Sequence, residues 1–346
     1  MRKCILLIML VCLMATPVYA AELTAPTVPE SAREFMPSNQ ETFGQGLLEV
    51  LQDALMYFRP DLKEASGVCL GITAAIMIVS VIRSFPGAAQ KAADLAGTVI
   101  VAILLLDAAN SMIRLGTETV SEISEYGKLL LPVMTTAMAA QGSVTTSAAL
   151  YTGTAAFNAV MSSLIAKLLT PMIYFYLSLA ASCAAIGDDM LKKIRDMLKA
   201  FMTWVLKTLL YIFTGYISIT GVVSGSTDAA ALKAAKLTIS SAVPVVGGIL
   251  SDASEAVLVG AGTVKNAVGI YGMFAIIAIW IGPFLKIAAH YLLLKTTGAV
   301  CGIFGSKQIT DMIQDFSSAM GLLLAMTGTV CLMLMISMVC FMKGVG

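Results

Sequence analysis

Long apolar runs alternate with short polar segments along this chain. Residues 65–82, 92–113, 200–220, 267–285 and 321–342 each read as one predominantly apolar stretch. About 20 such residues are what a helix needs to cross roughly 30 Å of hydrocarbon. Residues 129–186 form a longer run in which Lys167 is the only charge, interrupted at Pro132, Gly142 and Pro171. That length admits one crossing plus a re-entrant pair, or three crossings. Parity favours an odd number, because the 188–199 segment that follows reads as cytoplasmic. The pattern predicts an all-α, polytopic helical membrane protein with about six to eight transmembrane helices and broken or re-entrant segments.

The polar segments set the organisation. Residues 1–20 read as a signal peptide: Arg2 and Lys3, then an apolar stretch from Cys4 to Met14, then Val18-Tyr19-Ala20 before the cut. Residues 21–62 read as an exported arm. Within it, Leu47, Leu48, Leu51, Leu55 and Phe58 recur at helical spacing, which predicts an amphipathic helix lying on the outer membrane face. The multi-pass domain then covers 63–346. Arg83 to Lys91 is a basic turn. Arg114 to Lys128 places Glu118, Glu122 and Glu125 on one helical face. The positive-inside rule puts the basic turn in the cytoplasm and the acidic segment outside. The 188–199 segment combines Lys192, Lys193, Arg195 and Lys199 with Asp188, Asp189 and Asp196, and its Leu191, Ile194 and Leu198 predict an interfacial helix. Asp188–Lys192 and Asp189–Lys193 are expected as i,i+4 pairs.

Composition agrees. Of the 346 residues, 58% are hydrophobic and 12% charged, with a mean hydropathy of +0.88, whereas soluble domains run at roughly 45–50% apolar and about 25% charged. The net charge of +1 gives no sign of a nucleic-acid partner; membrane lipid is the expected surroundings. Five cysteines follow the signal, at Cys69, Cys183, Cys301, Cys331 and Cys340, each in an apolar run and none in Cys-x-x-Cys spacing, so they read as packing residues. His290 is the one histidine. No catalytic constellation or metal motif accompanies it, and no cofactor is implied.

Asp94, Asp107 and Lys207 lie in or near apolar spans, where a charge raises a functional question by default. They give an alternative from another class, a secondary transporter with Asp107 and Lys207 as a coupling pair and broken helices at its substrate site. Snorkelling to the interface is the plainer reading of Lys207, as of Lys167 and Lys286. Gly67-x-x-x-Gly71, Gly221-x-x-x-Gly225 and Gly298-x-x-x-Gly302 match the close-packing helix motif.

Residues 221–272 stand apart. Pro244, Gly247, Gly248, Gly260 and Gly262 break the run, and Gly225, Asp228, Lys233, Lys236, Asp252, Glu255 and Lys265 punctuate it. Val243, Val245, Val246, Ile249 and Leu250 keep it apolar. It reads as irregular backbone packed inside the protein or against a partner, with Lys233 and Lys236 on the exported face.

These residues carry a resemblance. Gly225-Ser-Thr-Asp-Ala-Ala-Ala-Leu-Lys-Ala-Ala-Lys, Ser241-Ala-Val-Pro-Val-Val-Gly-Gly-Ile-Leu-Ser-Asp-Ala-Ser-Glu and Gly260-Ala-Gly-Thr-Val-Lys-Asn resemble the stage III sporulation protein AE family of endospore-forming bacteria. The likeness runs from about residue 45 to the C-terminus. It implies a multi-pass component of a channel or secretion-like complex in the mother-cell membrane around the forespore. The implied partners are the other stage III sporulation A-operon proteins and, directly or indirectly, stage II sporulation protein Q; self-association is compatible with it. The resemblance implies no catalytic residue, and it makes Gly225, Asp228, Lys233, Lys236, Pro244, Gly247, Gly248, Asp252, Glu255, Gly260 and Gly262 a packing or partner site.

Overall fold

The computed structural model describes residues 25–37, 43–83, 89–242, 247–304 and 307–343. Within these ranges, the side chains of 61, 83, 89–94, 221–242, 247–261 and 304 are outside the description, as are residues 1–24, where a signal peptide is expected, and Pro244 altogether. The described chain is helical, with no strand. Its elements are α1 (Glu30–Arg33), α2 (Phe43–Tyr57), α3 (Arg59–Arg83), α4 (Ala89–Ala140), α5 (Val144–Leu164), a π turn (Ile165–Leu169), α6 (Thr170–Ile186), α7 (Asp189–Ala242), α8 (Gly247–Phe304) and α9 (Lys307–Lys343). Among the described residues, six helical stretches are long and apolar enough to cross a membrane.

Side-chain pairs fix the directions. Asn158 donates to the Ser124 carbonyl at 3.1 Å and Tyr174 to Asn110 at 2.8 Å, so α5–α6 runs back along α4. Tyr216 donates to the Ala149 carbonyl at 2.9 Å, so α7 returns along α5–α6. Ser317 donates to the Tyr291 carbonyl at 3.0 Å, closing the α8–α9 hairpin. Gly116 faces Leu323 and Gly127 faces Leu334, so α9 runs parallel to α4. At one pole α3, α6 and α8 end and α4, α7 and α9 begin; at the other α4 and α7 end and α5 and α8 begin. Lys192, Lys193, Arg195 and Lys307 mark the first as a basic pole.

Long helices replace several expected breaks. Pro132 and Pro283 lie inside α4 and α8. The 129–186 region is neither a re-entrant pair nor three crossings: it holds the end of α4, a turn at 141–143, and one return through α5, the π turn and α6. Pro171 sits in the first turn of α6, directly after the π turn, where its missing N–H is tolerated. The real stops are glycines with left-handed backbone, Gly142 at φ 89° and Gly187 at φ 78°. Gly187 caps α6 by donating its N–H to the Cys183 carbonyl at 2.9 Å. The 221–272 segment is also corrected: its backbone is helical up to Ala242 and again from Gly247.

Helices α8 and α9 form the centre. In their apolar stretches 61% of residues are buried, against 28% in α3 and α7. Phe274, Phe316 and Phe341 are fully buried. Close approach relies on glycines outside the predicted motif: a Cβ at Gly153 would overlap the Tyr216 ring, at Gly272 it would lie 2.6 Å from Leu130, and at Gly97 2.5 Å from Val79. Gly298 and Gly302 do meet α9, against Ile313 and Thr310, whereas Gly67 and Gly71 meet nothing within 4 Å. Gly221 and Gly225 fall outside the described side chains.

The arm is packed rather than extended. Val28 and Ala32 are buried in the main core, and Phe35 reaches Gly282 of α8. Helix α2 lies against α8 through Gly46, Val50 and Ala54, with Phe43 stacked on Phe274 at 5.1 Å. Its expected apolar stripe is turned away from the bundle: Leu48, Leu51 and Leu55 are exposed.

Helices α3 and α7 expose apolar belts at different heights. Glu64, near the start of α3, pairs with Lys286 of α8 at 3.2 Å. Lys199, where α7 becomes apolar, donates to Ser318 at 2.9 Å, one residue from the partner of Tyr291. Lys286 and Tyr291 are five residues apart, about 7 Å along a helix. From almost one level, α3 therefore descends to the basic pole while α7 climbs away from it.

Candidate functional site

Two charged regions stand out, one along the midsection of α4 and one near the basic pole. The first is a stripe along the outer face of α4. Asp107, Asn110, Arg114, Glu118, Glu125 and Lys128 follow helical spacing and are exposed, with Glu122 half-buried beside them. From Asp107 to Lys128 this covers about 30 Å of helix. Arg114 and Glu118 approach to 3.4 Å, and Ser31 of the arm donates to Glu122 at 2.9 Å. The 114–128 region is therefore the midsection of a continuous helix, level with the last apolar stretch of α9. Six charges on one exposed face exclude hydrocarbon as its neighbour; the stripe faces water or protein.

The second region is a clamp where α6, α7 and α9 meet. Arg195 Nη1 lies 2.5 Å from Asp315 Oδ2, with the two side chains 14% and 13% exposed. Tyr176 donates to the other Asp315 oxygen at 3.1 Å. Arg195 also donates to Asp196 Oδ1 from Nε and Nη2, at 3.0 and 2.9 Å. The helix begins with Asp188 accepting the Met190 N–H at 2.7 Å, an N-cap. Lys192 pairs with Asp189 at 2.9 Å, so the expected pairing is displaced by one position. Segment 188–199 is thus the first part of α7, docked on α9. The clamp fastens three helices; it presents no open site for chemistry.

A smaller polar seam runs between α4, α5 and α9. The Thr154 and Ser337 hydroxyls are 3.0 Å apart, and Asn158 spans to α4. Ser124 Oγ and Asn158 Oδ1 have no partner. His290 is buried, with Nδ1–H donating to the Lys286 carbonyl at 2.9 Å. Cys69, Cys183, Cys301 and Cys331 are buried free thiols. No cluster of metal-binding side chains occurs among the described residues.

The remaining predicted positions separate. Asp107 and Lys207 are both exposed, on different helices, and form no ion pair with each other. Lys286 is taken by Glu64. Asp94 lies in α4, but its side chain is outside the description. Gly225, Asp228, Lys233 and Lys236 lie in the α7 backbone, and Gly247, Gly248, Asp252, Glu255 and Gly260 in that of α8; their side chains too are outside the description. Gly262 is described, and a Cβ there would run into the Gln141 amide. Gln141 lies at the turn between α4 and α5, so this glycine seats α8 against it.

Sequence reasoning missed Asp315 and Tyr176 as clamp partners. Asp315 flanks the apolar positions Met312, Phe316 and Ala319 of an amphipathic helix, which was the available signal. Tyr176 gave none, since its run is apolar throughout.

No solved structure matches the chain. The chain is similar to the stage III sporulation protein AE of Bacillus subtilis (strain 168), 24% identical over 280 residues, which covers 79% of this chain and 70% of the relative. The profile of the family described as stage III sporulation protein AE matches residues 34–344. Stripe, clamp and the whole helical bundle fall inside that match, and the chain belongs to the stage III sporulation protein AE family.

Proposed function

We propose that this chain is a multi-pass membrane component of the channel or secretion-like complex between mother cell and forespore, needed for late forespore development. It sits in the mother-cell membrane around the forespore, with the basic pole in the cytoplasm and the N-terminal arm exported. Its partners are other stage III sporulation A-operon proteins and, directly or indirectly, stage II sporulation protein Q.

Family membership gives the sporulation role. The observation that carries the finer reading is the stripe on α4. A bundle with one flank that must avoid hydrocarbon, level with apolar belts that must be covered, is shaped for assembly or for bordering an aqueous path. The separation of Asp107 from Lys207 removes the coupling pair on which the transporter alternative rested.

The test is Glu118→Leu with Glu125→Leu in a sporulating host whose own copy is deleted. The variant should insert and accumulate normally while heat-resistant spores fall to the level of the deletion strain. Normal spore counts would sink this reading. Segment 225–262 serves in the same proposal as an assembly surface. Replacing Gly247-Gly248 by Leu-Leu should abolish assembly with insertion intact, and unimpaired sporulation would remove the segment from it.

A further inference from the structure

The outer face of α7 carries a groove of about 530 Å³ lined by Asp196, Lys199, Ala200, Thr203, Trp204 and Lys207. Lys199, Thr203 and Lys207 are spaced four residues apart, so they form one line along the helix. Helical side chains lean toward the N-terminus, which directs the Lys207 ammonium back toward Lys199. Asp196 offsets part of this charge, because Arg195, which engages its carboxylate, is shared with Asp315, so the two lysines leave the face with a single positive excess. Lys199 spends one of its three N–H donors on Ser318. Among the described residues, the Lys207 ammonium and the indole N–H of Trp204, a residue 61% exposed, have no hydrogen-bond partner.

The groove lies where α7 changes character. Below it are the charged turns from Asp189 to Asp196. Phe201 and Trp204, whose rings are 6.2 Å apart, are both exposed at its level. Beyond it Tyr211, Ile212 and Ile219 are exposed along the rest of the apolar stretch. Along α7 the two lysines and the two rings share one zone, and exposed hydrocarbon follows farther along and round the helix at Tyr211, Ile212 and Ile219. A phospholipid likewise sets its charged and ester region beside its acyl chains. Aromatic rings favour that interfacial level, and basic pockets beside it attract anionic headgroups.

We propose that this groove is a binding site for the headgroup of an anionic phospholipid, with Lys199, Lys207 and the Trp204 indole N–H as donors to its phosphate. The acyl chains lie along Tyr211, Ile212 and Ile219. The site is independent of the sporulation role and would hold whatever complex the chain joins.

Trp204 allows a local measurement. The full-length protein is reconstituted in phosphatidylcholine vesicles containing either brominated phosphatidylglycerol or, at equal mole fraction, brominated phosphatidylcholine. Trp204→Phe protein supplies the Trp280 background. Bromine beside the indole quenches it, so the ratio of the two quenching curves reports headgroup preference at the groove. Two lysines near a surface correspond to a preference on the order of tenfold for the anionic lipid. Lys199→Gln with Lys207→Gln should bring the ratio to one while leaving quenching by brominated phosphatidylcholine unchanged. That retained quenching shows the double variant is folded and inserted. Equal quenching in the unsubstituted protein would overturn the proposal, as would a preference that survives the double substitution. Abolition of the preference by inorganic phosphate would also overturn it, by marking a site for free anions.

Discussion

The clamp and the stripe are made of the same residue types, and they differ in almost everything else. Arg195 and Asp315 are nearly enclosed and locked to each other and to Tyr176. Asp107, Arg114, Glu118 and Glu125 stand on an exposed face, with one loose ion pair among them. The buried charge of the clamp is a fastening between helices, because the Asp315 carboxylate alone would be stranded in a poor solvent. Exposed charge contributes little to holding the helices and instead dictates what may lie alongside. Residue type alone does not distinguish the two; the face of the helix does.

Unfastening the clamp should produce the largest effect on stability. Arg195→Met leaves the buried Asp315 carboxylate without its cation and is expected to cost about 3–5 kcal/mol; Asp315→Leu should cost less, because Arg195 keeps Asp196. The readout is the midpoint for loss of the monodisperse peak on heating in detergent. The double variant should regain most of that loss, since it strands neither charge. A double variant as unstable as the singles would mean that the pair stabilises by attraction, contrary to the comparison.

Tyr176→Phe is next. It removes one hydrogen bond to a charged group and keeps the ring, so a loss of about 1.5 kcal/mol is expected by the same measurement. An unchanged midpoint would show that Asp315 is satisfied by Arg195 alone.

On the stripe, Glu118→Gln should move the midpoint by less than about 0.5 kcal/mol, because its pair with Arg114 is solvent-exposed. A clamp-sized loss there would erase the distinction between the regions. Asp107→Asn should do least, with stability and spore yield both near those of the unsubstituted protein. Complete loss of sporulation at normal protein level would bring back the transporter alternative.

The sequence made some of this legible and hid the rest for physical reasons. The apolar runs located five of the six described membrane-scale stretches, because hydrocarbon thickness is written into run length; the sixth, Val144–Ile186, was hidden in the longer 129–186 run. It showed only some of the places where helices stop. Pro132 looks like a break, yet a long packed helix tolerates it when its neighbours hold it. Gly142, marked in the sequence as an interruption, is a true stop; Gly187 is the other, through the same left-handed backbone, and nothing in its run marked it. In α2, the leucine stripe predicted a helix lying on the membrane face, and Leu48, Leu51 and Leu55 are exposed; what the stripe did not announce is the small face of Gly46, Val50 and Ala54 that meets α8 at close range. The clamp needed knowledge of which helices meet, and Asp315 is 120 residues from Arg195.

The position of α9 within the bundle has a consequence for biosynthesis. This helix touches α4, α5, α6, α7 and α8, and it follows all of them along the chain. Helices that enter the membrane earlier must wait there with their inward faces uncovered. Pairing of α4 with α5 and α6 can proceed during translation, but Arg195 of α7 has no Asp315 to meet until the 37-residue α9 arrives. The bundle therefore closes from its centre only once α9 has been made. Phe341, fully buried in the last turn of α9, makes even the loss of that turn a defect at the core.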